Sequence, residues 1–168
     1  MAADEHPLVL TPLPGEADLG LVDALAQLSF AVQGALGRIA TEQGLSIVQT
    51  RLLGILRDRR PTIKELAGFL GLDKSSVTGL VDRAETRGLV TRMASPRDGR
   101  SVQVAITPAG QDLAERATTS FMAEIGDLVA DLSPTQQKRL FGLASIVVAA
   151  DARRRGINLF DTTASTRP

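Results

Sequence analysis

The chain has 168 residues, 43% of them hydrophobic and 23% charged, with 19 basic and 19 acidic side chains and no cysteine, tryptophan or tyrosine. That composition suits one globular domain with a real core, and it excludes disulfides, thiolate metal sites and cysteine-based peroxide sensing. The zero net charge hides a division, because residues 51–100 hold 11 Lys or Arg against 6 Asp or Glu while the rest of the chain holds 8 against 13. A basic middle is what a protein needs to hold phosphates on one surface without becoming generally sticky, although a solvated charged face gives the same count. No early basic segment leads into an apolar run, and no stretch reaches the roughly 20 apolar residues of a spanning helix. A soluble, cytoplasmic protein with no membrane partner is expected.

Residues 1–17 contain three prolines and no helical period, and they read as a flexible N-terminal segment. They carry His6, the only histidine, so a His-based metal cluster and a Ser, His, Asp triad both lack members. From Asp18, the residues Leu21, Leu25, Leu28, Val32, Leu36 and Ile39 recur at helical spacing as far as Ala40, which predicts a long first helix with an apolar stripe. Gly44 breaks it. Ser46 with Gln49 then makes a capping box before Ile47, Leu52, Leu53, Ile55 and Leu56, a helix that ends near Arg57. Arg57, Arg59 and Arg60 precede Pro61.

The stretch from Thr62 to Gly88 predicts two short helices joined by a tight turn. Thr62 and Glu65 form a second capping box, and Leu66, Phe69 and Leu70 give the first helix a buried side. Gly71 can end that helix in a left-handed conformation, and Asp73 can cap the next. In the second helix Val77, Leu80, Val81 and Ala84 make one apolar stripe. The opposite face carries Ser75, Thr78, Gly79, Asp82 and Thr86, flanked by Lys74 and Arg83, and its first turn is short and polar. Such a helix fits the DNA major groove, with Lys74, Ser75, Ser76 and Thr78 at base edges and Arg83 on phosphate, although any small helical hairpin with a solvated polar face gives the same pattern. Gly79 costs about 1 kcal/mol relative to Ala in mid-helix, so it marks either a close approach or a tolerated defect.

Leu89 to Met93 read as a short strand, SPRDGRS as a turn, and Val102, Val104 and Ile106 as the alternating positions of a second strand. An isolated hairpin is only marginally stable, so this one must pack on the helices while Arg97, Asp98, Gly99 and Arg100 project at its tip. Thr107 caps a further helix that accepts Pro108 in its first turn, and Leu113, Ala117, Phe121, Ile125, Leu128 and Leu132 continue it. Ser133, Pro134 and Gln136 start the last helix, whose Leu140–Ala150 run is apolar all round. A helix of that kind must be buried on every side, which a dimer interface achieves most simply and a monomer core wrapped by the first helix would also satisfy. Arg153, Arg154 and Arg155 suit the negative end of that helix and need no DNA role.

The order GLDKSSVTGLVDRAETRGLVTR followed by SPRDGRSVQVAITPAG resembles the MarR family of bacterial transcription regulators. Nearly the whole chain can be laid on that pattern, and its most specific part is Asp98-Gly99-Arg100-Ser101 followed by Ile106-Thr107 and Gly110. The resemblance implies a mainly α fold with a small β-hairpin: a winged helix-turn-helix over about 46–107, long terminal helices at 18–40 and 107–155 forming a dimerisation region, and a tail at 156–168. It further implies a homodimer that binds a near-palindromic operator in double-stranded DNA, usually as a repressor released by a small-molecule effector. Arg57 lies close to the family's DNA-facing edge, and the resemblance maps Asp98 and Arg100 onto a paired acid and base on the wing. Asp98 would then orient Arg97 or Arg100 toward the adjacent minor groove, against the simpler reading of a solvated Asp-Gly turn. No phosphate loop, metal spacing, nucleophile constellation or cofactor motif points to an enzyme. The rival reading is a winged helix that binds only other proteins. An aromatic effector would rest on Phe30, Phe69, Phe121, Phe141, Phe160 and aliphatic side chains.

Overall fold

The computed structural model describes residues 19–94 and 101–157. The N-terminal segment 1–17 with His6, the tip residues Arg97, Asp98 and Arg100, Phe160 and most of the tail lie outside the described residues. The described elements are α1 (Gly20–Glu42), α2 (Ile47–Leu56), α3 (Ile63–Leu70), α4 (Lys74–Thr86), β1 (Val90–Ala94), β2 (Val102–Ile106), α5 (Pro108–Leu128) and α6 (Pro134–Arg154). The fold is mainly α with one small antiparallel hairpin, arranged as a winged helix-turn-helix.

Local capping sets most of the boundaries. The Ser46–Gln49, Thr62–Glu65 and Ser133–Gln136 pairs all make reciprocal capping boxes, which satisfy backbone N–H groups that have no partner within the helix. Gly71 closes α3 at φ 68°, a left-handed conformation that a side chain would strain. α5 ends at Leu128, one turn before the Leu132 expected from periodicity. Pro134 pushes Ser133 into an extended conformation (ψ 156°), so the chain must leave the helix beforehand. The freed carbonyls of Val129 and Leu132 each accept a 3.1 Å hydrogen bond from Gln137 Nε2, so α6 caps the end of α5.

One core joins α2, α3, α4, the hairpin, the C-terminal end of α1 and the start of α5. Leu52, Leu53, Leu56, Leu66, Val77, Val81 and Val104 form its centre, with Ala40 from α1 and Leu113 and Ala114 from α5 at its margin. β1 pairs with β2 from Val90↔Ile106 to Ala94↔Val102. A single bridge, Thr62↔Gln103, with Val104 N–H donating to Pro61 O at 2.9 Å, ties the hairpin to the residues that start α3. The wing is therefore fastened to the helix-turn-helix by backbone as well as by packing.

The far side of the molecule is different. The first half of α1 exposes Leu21, Val22, Leu25 and Phe30, and α6 exposes Phe141, Leu143, Ile146, Val147 and Val148. The Leu140–Ala150 run is not buried within one chain. Within α6 the only buried residue is Ala152, near its C-terminal end, and just beyond it Ile157 Cγ1 lies 3.9 Å from where a Cβ on Gly68 of α3 would be. No described helix is long and apolar enough to cross a membrane.

Candidate nucleic-acid interface

α4 lies across α3 because its Val77, Leu80, Val81 and Ala84 stripe is buried against Leu66 and Leu70. Its opposite face is left to solvent, with Lys74, Ser75, Ser76, Thr78 and Arg83 exposed. Asp73 sits before the first turn in an extended conformation, and its carboxylate accepts from Ser76 N–H at 2.8 Å, Ser76 Oγ at 2.6 Å and Ser75 Oγ at 2.5 Å. These bonds to Ser75 and Ser76 hold the Asp73 carboxyl well below the usual carboxylate range, so it stays ionised. Thr78 Oγ1 donates to Lys74 O at 2.8 Å. Among the described residues Lys74 and Arg83 make no ion pair, which leaves two cations on this face. Arg83 lies back along the helix, its Nη1 3.5 Å from the place a Cβ on Gly79 would occupy.

The base of the wing is held at a fixed distance from this helix. Arg92 on β1 reaches Asp82 at 2.5 Å through Nη2 and Glu85 through Nη1, and its backbone N–H donates to Glu85 Oε1 at 3.1 Å. Asp82, expected on the open polar face, is thus spent on the wing. At the other end of the hairpin Thr107 caps α5 by accepting from Gly110 N–H at 3.1 Å while its hydroxyl donates to Gly88 O at 2.7 Å.

A projecting helix, a hairpin fastened beside it and a buried stripe beneath make a reading head, and residues 43–101, which reach from before α2 to the start of β2, match the MarR family model. That region is similar to the MarR family. Among its relatives, a protein ascribed to regulation of the hcr operon in Thauera aromatica is 31% identical over 87 residues, covering 52% of each chain. The transcriptional activatory protein BadR of Rhodopseudomonas palustris is 32% identical over 103 residues, 57% of this chain and 58% of that one. The matched region therefore spans little more than half of either relative. In three dimensions the chain is similar to CouR from Rhodococcus jostii RHA1, crystallised with p-coumaroyl-CoA, with a TM-score of 0.67 and 23% identity over 90% of this chain and 100% of that one. At that identity the likeness speaks for the fold.

The structure brings Lys74, Ser75, Ser76, Thr78, Gly79 and Arg83 onto one helix, and it places Arg57 elsewhere. Arg57 stands at the end of α2, its Nε and Nη2 on Asp58 Oδ2 (3.0 and 2.7 Å) and its Nη1 on Thr118 Oγ1 of α5 at 3.1 Å. Beside it, Arg59 lies over the Phe69 ring at 5.2 Å. Arg57 also lines a cavity of about 320 Å³ between α1, α2 and α5, whose walls are Leu36, Leu45, Leu53, Ala114, Ala117 and Phe121, with Arg51 and Thr50. Of the phenylalanines named from the sequence, Phe121 lines this cavity, while Phe30 and Phe141 are exposed. Sequence reading missed the Arg92 clasp and the cavity. Arg92 faces Asp82 and Glu85 across a helix-to-strand turn, and an Asp-x-x-Glu pair one helical turn apart was the available signal for the clasp.

Proposed function

We propose that this chain is a sequence-specific DNA-binding regulator that acts as a homodimeric repressor on a near-palindromic operator and is released by a small ligand. The observation that carries the reading is the open N-terminal turn of α4, polar and exposed above a fully buried stripe, with the wing base clasped beside it. Ser75, Ser76, Thr78 and Lys74 read base edges, Arg83 holds phosphate, and Gly79 allows the DNA to approach. Arg57 serves phosphate only if it leaves Asp58 and Thr118. The tip residues Arg97, Asp98 and Arg100 meet the flanking minor groove, with Asp98 orienting an arginine.

The apolar faces of α1 and α6 support dimerisation, since a soluble chain rarely leaves so much contiguous apolar surface uncovered. A dimer of this kind sets its two α4 helices about one helical turn of DNA apart, roughly 34 Å. The cavity between α1, α2 and α5 supports a ligand-responsive reading: it lies between the long terminal helices and α2, which shares a core with α3 and α4, and it suits a compact apolar molecule with an anionic group near Arg57. CouR, crystallised with p-coumaroyl-CoA, is a protein of this fold with a bound organic ligand.

Anisotropy of labelled duplexes across a salt series tests the reading. Thr78→Ala costs about 1–3 kcal/mol and relaxes preference at one operator position, whereas Arg83→Ala weakens all sequences alike and lowers the salt slope by about 1. Unchanged preference in Thr78→Ala together with altered preference in Arg83→Ala would reverse these roles. No salt-dependent duplex binding at all would leave the protein-binding module as the better reading. A promoter fusion gives the sign of regulation: expression rises on deletion of a repressor, and falls if the chain activates as BadR does.

A further inference from the structure

The start of α4 has a donor and acceptor polarity that follows from hydrogen-bond chemistry. A serine or threonine hydroxyl has one proton to give and two lone pairs to receive with, whereas an ionised carboxylate and a backbone carbonyl can only accept. Ser75 Oγ and Ser76 Oγ lie 2.5 and 2.6 Å from the two different carboxylate oxygens of Asp73, so each serine donates its only proton inward. Thr78 Oγ1 does the same toward Lys74 O at 2.8 Å. All three side chains are exposed on the outer face, where only their lone pairs remain available. The bonds from Ser75 and Ser76 that hold Asp73 ionised keep this arrangement through the whole neutral range.

We infer that Asp73 is a specificity-determining positioning residue: by taking the protons of Ser75 and Ser76 it turns them into obligate acceptors, which select amino-bearing base edges in the DNA they face. This rests on the proposed reading of bases by the first turn of α4. In the major groove, adenine N6 and cytosine N4 donate, while guanine O6 and N7 and thymine O4 accept. An acceptor-only serine therefore pairs with adenine or cytosine on the strand it faces and is repelled by guanine and thymine. Such a serine also cannot donate to a phosphate oxygen, which suits the proposed division in which Arg83 holds phosphate. Thr78, committed to the helix backbone, can offer its methyl group to a thymine methyl as well as accept from an amino group.

Asp73→Ser separates orientation from capping. A serine there can still cap α4 by accepting from Ser76 N–H, but its one hydroxyl cannot hold both neighbouring protons. Selection of bound duplexes from a randomised pool by the full-length protein should return adenine or cytosine at the positions set by Ser75→Ala and Ser76→Ala, the positions at which those variants lose discrimination. Replacing such a base by the analogue without its exocyclic amine, purine for adenine or 2-pyrimidinone for cytosine, should weaken wild-type binding on the order of tenfold. In Asp73→Ser the same positions should tolerate guanine and thymine, and the analogue should cost little, with an unfolding midpoint close to wild type. Asp73→Asn is the second variant, since its amide keeps one acceptor oxygen and should relax only one of the two positions. Guanine or thymine at the serine positions in wild-type selections overturns the assignment, as does a preference left intact by both Asp73 variants. If Ser75→Ala and Ser76→Ala change no operator position, base reading by this turn itself fails, and the assignment falls with it.

Discussion

The winged helix and the last helix both carry apolar runs, and these end in opposite environments. Leu52, Leu66, Val77, Val81 and Val104 are 0% exposed, whereas Phe141 is 73% and Leu143 66% exposed. The first set meets partners from its own chain across three helices and a hairpin, so its burial is complete in one copy. The second set finds no such surface: α5 turns into α6 through the Gln137-capped bend, which directs α6 away from the core. Apolar character alone thus does not say whether a face is buried within its own chain; the path of the chain decides that.

Substitutions at the two sites should separate along that line. Leu66→Ala removes a fully buried side chain and should lower the unfolding free energy by about 2–5 kcal/mol at any protein concentration, measured by urea titration. Ile146→Asp should leave the folded reading head intact yet abolish the rise of the unfolding midpoint with protein concentration that an assembling wild type displays. A concentration-independent wild type, seen as a monomer by light scattering while it still binds a palindrome tightly, would sink the homodimer.

Gly110→Ala should come next in size. A Cβ there would sit 2.1 Å from Leu89 O and 2.8 Å from Ile106 Cγ1, so α5 would have to move away from the hairpin, at about 1–3 kcal/mol. Gly79→Ala is the contrast, because its Cβ would meet nothing nearer than Arg83 Nη1 at 3.5 Å. That substitution should raise stability by about 1 kcal/mol through helix propensity. Any accompanying loss of operator affinity then reports close approach of DNA, and unchanged affinity makes Gly79 a tolerated defect.

The smallest effect is in acid. The Asp73 carboxyl, held down by Ser75 and Ser76, binds its proton less readily in the folded state than in the unfolded one. Its contribution is therefore fully present above the unfolded carboxylate value, about 4, and is lost as pH falls from there through the folded value. The difference in thermal midpoint between wild type and Asp73→Asn should be constant at neutral pH and narrow progressively below about pH 4. A difference that widens in acid would mean that the two serines do not hold this carboxylate.

The features legible in the residues alone are local. Thr62 with Glu65, Ser46 with Gln49 and Ser133 with Gln136 stand three residues apart, and Gly71 and Asp73 bracket a turn, so their partners lie within one helical turn in nearly any fold. The same holds for the stripe of α4 and for the polar turn above it. Tertiary structure decided the rest: Arg92 meets Asp82 and Glu85 only after β1 folds back beside α4, and Gly110 is essential only because Leu89 passes so close. The cavity exists because α1, α2 and α5 converge around Phe121, which periodicity had marked simply as one apolar position in a stripe. Hydrogen bonds over three or four residues are dictated by helix geometry, but contacts between distant segments depend on how whole faces pack, and no spacing along one chain encodes that in advance.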